Sequence, residues 1–287
     1  TIRVFCLVSI YDFGYLLKIL AMSKIVFITG ASSGIGKSIA TYLHDKKYKV
    51  YGTSRNPQNI KVPFSMVALD VTDAVTIKKA IALVVEKEGK IDVLINNAGK
   101  GITGAIEDTP TDEMRSNFET NFFGAIEVIK AVLPVMRGQK SGLIINTTSI
   151  AGYMGLPFRG IYSASKGALE LVTEALSMEV KQFGVKVVNA APGDFATNIA
   201  AGRYHTPVFE KSAYKTTYAE NLALMDNHVD SGKNPIFMAK AIERIIEAKN
   251  PKIHYKIGGF MEKFSVVLKR ILPDKVYEKL LMNHYKL

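Results

Sequence analysis

The sequence is almost without cysteine: Cys6 is the only one in 287 residues. That excludes a disulfide framework and a cysteine-based metal cluster, and no metal site is expected. A single thiol is compatible with a reducing compartment, and the expected location is cytoplasmic. Long apolar runs are also missing. Residues 2–22 are rich in apolar side chains, and Arg3 precedes them as in a signal n-region. Asp12 and Lys18 interrupt the stretch, however, and its longest uncharged run, Val4–Tyr11, is 8 residues. A spanning helix needs about 20, and a central Asp or Lys adds roughly 2.5–3.5 kcal/mol to insertion. Residues 1–22 therefore read as an N-terminal extension ahead of one domain over 23–287, and a chain starting at Met22 is expected to stay active. Internal repeats and low-complexity segments are absent too. With 48% hydrophobic and 22% charged residues, the composition excludes disordered, collagenous and mucin-like chains.

Acidic residues are in deficit, 26 against 37 Lys and Arg, for a net charge of +11. Such a surplus suits nucleic acid, an anionic membrane or an anionic small molecule. No basic segment carries base-reading or stacking residues, so nucleic acid is not an expected partner.

What the chain does contain is regular alternation. Apolar strand patterns at 25–29, 48–53, 64–69, 91–95, 142–147 and 185–190 alternate with helical patterns at 34–46, 73–87, 111–136 and 161–183. This predicts an α/β fold, a doubly wound parallel sheet of Rossmann type with helices on both faces, in a single domain. Residues 194–234 are polar, irregular or weakly helical and read as a lid segment. A helix at 235–248, a strand at 253–257 and two basic helices split by Pro273 follow.

Several motifs compete for the turn Thr29-Gly30-Ala31-Ser32-Ser33-Gly34-Ile35-Gly36-Lys37-Ser38. A Walker A loop fails because Ala31 stands where its first glycine belongs. Gly30 to Gly34 spells G-x-S-x-G, but no later His sits on a loop suited to a hydrolase. The G-x-G-x-x-G fingerprint is absent. The run does fit T-G-x-x-x-G-x-G, whose glycines let a phosphate approach backbone N–H groups at a helix start. Here the chain resembles the short-chain dehydrogenase/reductase family, in which this motif is the pyrophosphate loop of a nicotinamide cofactor. The resemblance implies contacts from Gly30, Ser32, Ser33, Gly34, Ile35 and Gly36.

Further motifs join it in order. Tyr162 and Lys166 stand at i and i+4 on one helix face. A phenol is a poor base at neutral pH, and a nearby ammonium favours its ionised form. The pair can then protonate a ketone or take a proton from an alcohol. Ser149 lies thirteen residues before Tyr162, where the resemblance implies a hydrogen bond to the substrate oxygen. Asn121 matches the family's helix Asn, implied to hold a water in a proton relay. Asn96-Asn97-Ala98-Gly99 matches N-N-A-G, implied to stabilise the sheet and shape the cofactor path. Asp70 and Val71 match the adenine contact. Pro192, Gly193 and Thr197 match the contact to the nicotinamide amide and diphosphate. The resemblance spans about residues 23–258 and also implies a homo-oligomer packed through 111–136 and 161–183.

The end of the second strand speaks to cofactor choice. Dinucleotide folds that prefer NAD place an Asp or Glu there; this chain has Ser54 followed by Arg55. A guanidinium can grip a 2′-phosphate that a carboxylate would repel, so NADP(H) is expected. The reaction expected is hydride transfer between NADP(H) and a small-molecule secondary alcohol or ketone. The C-terminal region looks like the hydroxysteroid- and retinol-dehydrogenase-like branch, which implies a bulky apolar substrate. Phe195, Ile199, Tyr204, Phe209, Tyr214, Tyr218, Leu222 and Met225 either line a pocket or pack the lid, and both readings stay open here. A cofactor-binding regulator without turnover is the alternative, against which the full Ser–Tyr–Lys–Asn set argues. Residues 238–287 hold 11 Lys and Arg against 5 Asp and Glu, and the helices at 259–287 are a candidate peripheral membrane contact.

Overall fold

The structure, a computed structural model, describes residues 23–196, 202–230 and 232–287. Its centre is a parallel seven-stranded sheet. In chain order the strands are β1 (Ile25–Ile28), β2 (Lys49–Ser54), β3 (Ser65–Ala68), β4 (Val93–Asn96), β6 (Gly142–Thr147), β7 (Val185–Pro192) and β9 (His254–Ile257), laid out β3-β2-β1-β4-β6-β7-β9. A separate two-stranded parallel sheet pairs β5 (Ile102–Thr103) with β8 (Tyr204–His205).

The strands are short apolar runs because both faces are covered. In β1, Val26 and Ile28 enter one core with Ile39 and Leu43 of α1 (Gly34–Asp45) and Ile242 of α7 (Ile236–Glu247). Ile25 and Phe27 enter the opposite core with Ile77 of α2 (Ala74–Glu88) and Val128 and Val132 of α4 (Gly124–Gln139). α2 starts where the Asp73 carboxylate accepts from Val75 N and stops at Gly89, whose φ of 72° favours glycine.

Strand order reverses between β1 and β4, which opens a crevice at their carboxyl ends. Along the same register, Asn96, Asn146, Asn189 and His254 form a polar line across four strands. Asn96 donates to Asn146 at 2.9 Å, Asn146 to Thr173 Oγ1 at 2.8 Å, and Asn189 to the Glu170 carbonyl at 3.1 Å. His254 meets the Glu170 carboxylate at 3.0 Å. Thr173 and Glu170 belong to α5 (Gly160–Glu179). The line therefore fixes the depth and rotation of the helix that carries Tyr162 and Lys166.

The alternation expected from sequence is present, with three differences. The helix read over 111–136 is α3 (Thr111–Phe118), a π turn at Glu119–Phe123, and then α4. The helix read to Phe183 ends at Glu179, followed by a 3₁₀ turn at Lys181–Phe183. The lid segment holds a sixteen-residue helix, α6 (Lys215–Asp230), and is tied to the body by β8. The C-terminal helices, α8 (Phe260–Ile271) and α9 (Asp274–Tyr285), split at Pro273 as read. They pack Val266 and Tyr277 against Ile150 and Met154, just after Ser149. No helix among the described residues is long and apolar enough to cross a membrane.

Candidate functional site

The glycine-rich turn follows β1 and faces the segment after β4. Gly30 and Gly34 have φ of 67° and 54°, the left-handed region where a side chain is strained. A Cβ on Gly30 would stand 2.8 Å from Ala98 Cα, and one on Gly36 would stand 2.2 Å from the Gly30 carbonyl oxygen. Asn97 braces the turn, its Nδ2 donating to the carbonyls of Thr29 at 3.1 Å and Gly30 at 3.0 Å. The Thr29 hydroxyl in turn accepts from the backbone of Asn97 and Ala98, each at 3.0 Å. Ser33 is the N-cap of α1, but its side chain makes no capping bond, so the helix's first N–H groups have no acceptor from that side chain. Ser32 is half-buried, Ser33 exposed and Ile35 half-buried beside it. A tight backbone at the positive end of a helix is a geometry that suits a diphosphate.

Ser54 ends β2, and Arg55 is exposed beyond it. Asp70 stands nearby, after β3. Burial raises its pKa, but bonds from the Thr72 backbone and hydroxyl and the charge of Arg55 outweigh burial and hold it below the usual value. Val71 is buried against Gly124.

Ser149 follows β6 and caps the 3₁₀ turn Ile150–Tyr153, its Oγ accepting from Ala151 N at 3.1 Å. The bond occupies the oxygen and leaves the hydroxyl hydrogen to donate elsewhere. Ser149 and Tyr162 line one cavity with Ile35, Gly193, Arg159 and Arg203. The Arg159 guanidinium lies 5.6 Å from the centroid of the Tyr162 ring. Lys166 is buried, donates to the Thr147 carbonyl at 2.9 Å, and has its ammonium pushed down by burial to about 8. A Cβ on Gly99 would stand 3.4 Å from Lys166 Nζ and 3.1 Å from Asn121 Oδ1, so these three residues meet.

Asn121 sits in the π turn, as functional residues often do. Its Oδ1 accepts from Lys100 N at 2.8 Å and its Nδ2 donates to Lys100 O at 2.9 Å. The side chain thus clamps the loop after Gly99. Pro192 ends β7, and Gly193 N donates to the Ile257 carbonyl at 2.9 Å. Thr197 and Ile199 lie outside the described residues. Among the lid residues, Phe195 is buried and lines the cavity, and Tyr218 is buried against Phe158 with ring centroids 5.4 Å apart. Phe209 and Tyr214 are exposed.

Sequence reasoning missed Arg159, Arg203 and Asn117. Asn117 donates to the same Lys100 carbonyl at 2.9 Å, and its spacing of four from Asn121 was the available signal. Arg159 precedes Tyr162 by three residues and carries no motif of its own.

The comparisons agree with this geometry. The family model described as short chain dehydrogenase matches residues 24–207. The 3-ketodihydrosphingosine reductase of Bacteroides thetaiotaomicron is 38% identical over 263 residues, covering 91% of this chain and 98% of that one. A solved short-chain dehydrogenase from Streptomyces avermitilis superposes with a TM-score of 0.77 at 31% identity, covering 92% of this chain and 97% of that one. The NADP-bound structure of ElxO gives 0.66 at 27% identity, covering 82% and 97%. The chain belongs to the short-chain dehydrogenase family, and it is an oxidoreductase that moves hydride between a nicotinamide cofactor and a small-molecule alcohol or carbonyl.

Proposed function

We propose that the protein is an NADP(H)-dependent reductase of a bulky apolar ketone, with Tyr162 as proton donor. The single observation that carries this reading is the shared cavity of Ser149 and Tyr162, with Lys166 and Asn121 converging on Gly99.

The residues present fit a phosphorylated dinucleotide. The cradle at Gly30, Ser32, Ser33, Gly34, Ile35 and Gly36 suits the diphosphate. Asn97, Ala98 and Gly99 follow β4 beside the glycine-rich turn, and Asp70 and Val71, after β3, would take the adenine end by their motif position. Pro192 and Gly193 border the cavity, and Thr197 completes that set by its motif position. Ser54 and Arg55, in place of a carboxylate, support the 2′-phosphate reading.

When bound, the nicotinamide supplies the hydride. Ser149 donates its free hydroxyl hydrogen to the substrate oxygen and orients the carbonyl. Tyr162 gives its phenolic proton to that oxygen as negative charge develops. Lys166 holds a positive charge near the phenol, and its desolvation makes that charge more effective than in water. Asn121 keeps the Lys100 loop, and with it Gly99, against the Lys166 ammonium.

The similarity to a 3-ketodihydrosphingosine reductase makes 3-ketodihydrosphingosine the first substrate to try. Phe195 in the cavity wall supports an apolar chain. Segment 194–234 reads as the lid over it. Leu171 and Met178, exposed seven residues apart on α5, support self-association through that helix. A panel of apolar ketones assayed with NADPH and NADH tests the reading. Turnover of long-chain ketones with NADPH preferred is the expected result; cofactor binding without turnover on any ketone would favour the regulator reading.

A further inference from the structure

We propose that α8 seats this enzyme on the surface of an anionic lipid bilayer, with the cavity rim facing the lipid. The proposal deepens the reading of an apolar substrate and rests on it for why the rim should face lipid.

The helix has two apolar faces, and only one is covered. Val266 is buried against Ile150 and Met154. Phe260, Phe264, Val267 and Ile271 are exposed. At about 100° per residue, that spacing puts the four within an arc of about 60°. The rings of Phe260 and Phe264 stack along it at 5.7 Å. Met261 is 69% exposed on one shoulder. Lys263 and Arg270, seven residues apart and both exposed, hold the other shoulder. Val276 and Leu280 add an exposed i, i+4 pair on α9, beside Lys275 and Lys279.

Charge decides the occupant. Residues 238–287 carry 11 basic and 5 acidic residues. A second copy of the chain packed two-fold and antiparallel on this face would bring Lys263 and Arg270 against the same residues of the partner. An anionic bilayer takes both features together: the stripe enters the acyl boundary and the cations meet the headgroups. No helix among the described residues is long and apolar enough to cross a membrane, so the contact proposed for α8 is peripheral.

Position links the face to the cavity. Glu262, on the helix's inner side, accepts from Asp194 N at 2.7 Å and from Gly259 N. A Cβ on Gly193 would meet the same carboxylate at 2.4 Å. α8 therefore starts at the loop that lines the cavity, which places its exposed stripe on the element next to that loop.

The test is co-sedimentation of the full chain with phosphatidylcholine vesicles, with and without phosphatidylserine. The wild type should pellet with the phosphatidylserine vesicles and release as salt rises. Phe260→Ser with Ile271→Ser, and separately Lys263→Glu with Arg270→Glu, should each lower the partition coefficient by about tenfold or more. Both variants should keep wild-type NADPH oxidation against a water-soluble ketone without vesicles, which separates failure of docking from failure of the catalytic reading. No pelleting, equal pelleting with phosphatidylcholine alone, or unchanged partition in either variant would overturn the proposal. So would light scattering that shows the wild type dimeric and the Ser variant monomeric.

Discussion

The Lys166 ammonium donates to the Thr147 carbonyl across 2.9 Å from a fully desolvated position. Burial lowers its pKa from 10.5 to about 8, which amounts to about 3 kcal/mol held against folding while the group is charged. Between pH 8 and 10.5 the unfolded chain keeps a proton that the folded chain releases. Stability contributed by this group therefore rises with pH in that window and falls as pH drops through it. Urea midpoints of the cofactor-free protein, measured from about pH 8 to 10, should climb more steeply for the wild type than for Lys166→Met. Equal slopes would contradict the assignment.

Gly36→Ala should damage both binding and stability. The added Cβ would stand 2.2 Å from the Gly30 carbonyl oxygen and 2.4 Å from Asn97 Nδ2, and the backbone itself must move. A loss of about 2–4 kcal/mol in unfolding free energy is expected, as for other overpacked sites, together with weakened cofactor binding in fluorescence titration. Gly138→Ala, which meets nothing within 4 Å, is the matched control and should leave cofactor affinity unchanged.

The proposed preference for NADP(H) rests on two adjacent residues. Ser54→Asp with Arg55→Ala removes the exposed guanidinium and adds a carboxylate at the end of β2. Charge-assisted hydrogen bonds contribute roughly 1.5–3 kcal/mol, so the ratio of kcat/KM for NADPH over NADH should fall about 10- to 100-fold. The check is steady-state kinetics with both cofactors at saturating ketone. An unmoved ratio would place recognition elsewhere.

Much of this site was legible because it sits at strand ends. Residues 25–29 and 91–95 read as strands, so Gly30 and Asn97 had to emerge on the same edge of a parallel sheet. The pairing of Tyr162 with Lys166 was legible from helical spacing. The π turn at Glu119–Phe123 was not, because one extra residue per turn leaves the apolar periodicity of 111–136 intact on either side. Two-residue strands such as Ile102–Thr103 and Tyr204–His205 are too short to carry a period. Arg159 and Arg203 are distant in sequence and converge only in the folded chain, where both line the cavity. α6 was read as weakly helical because Thr216, Thr217 and several polar residues blur its apolar face.

The most direct test of the central claim is NADPH oxidation with 3-ketodihydrosphingosine by the wild type and by Tyr162→Phe, with cofactor affinity measured in parallel. The wild type should turn over. Tyr162→Phe should lose about 10²–10⁴-fold in kcat, the usual contribution of a placed general acid, while binding NADPH with nearly unchanged affinity. A Phe variant that keeps wild-type turnover would contradict the account.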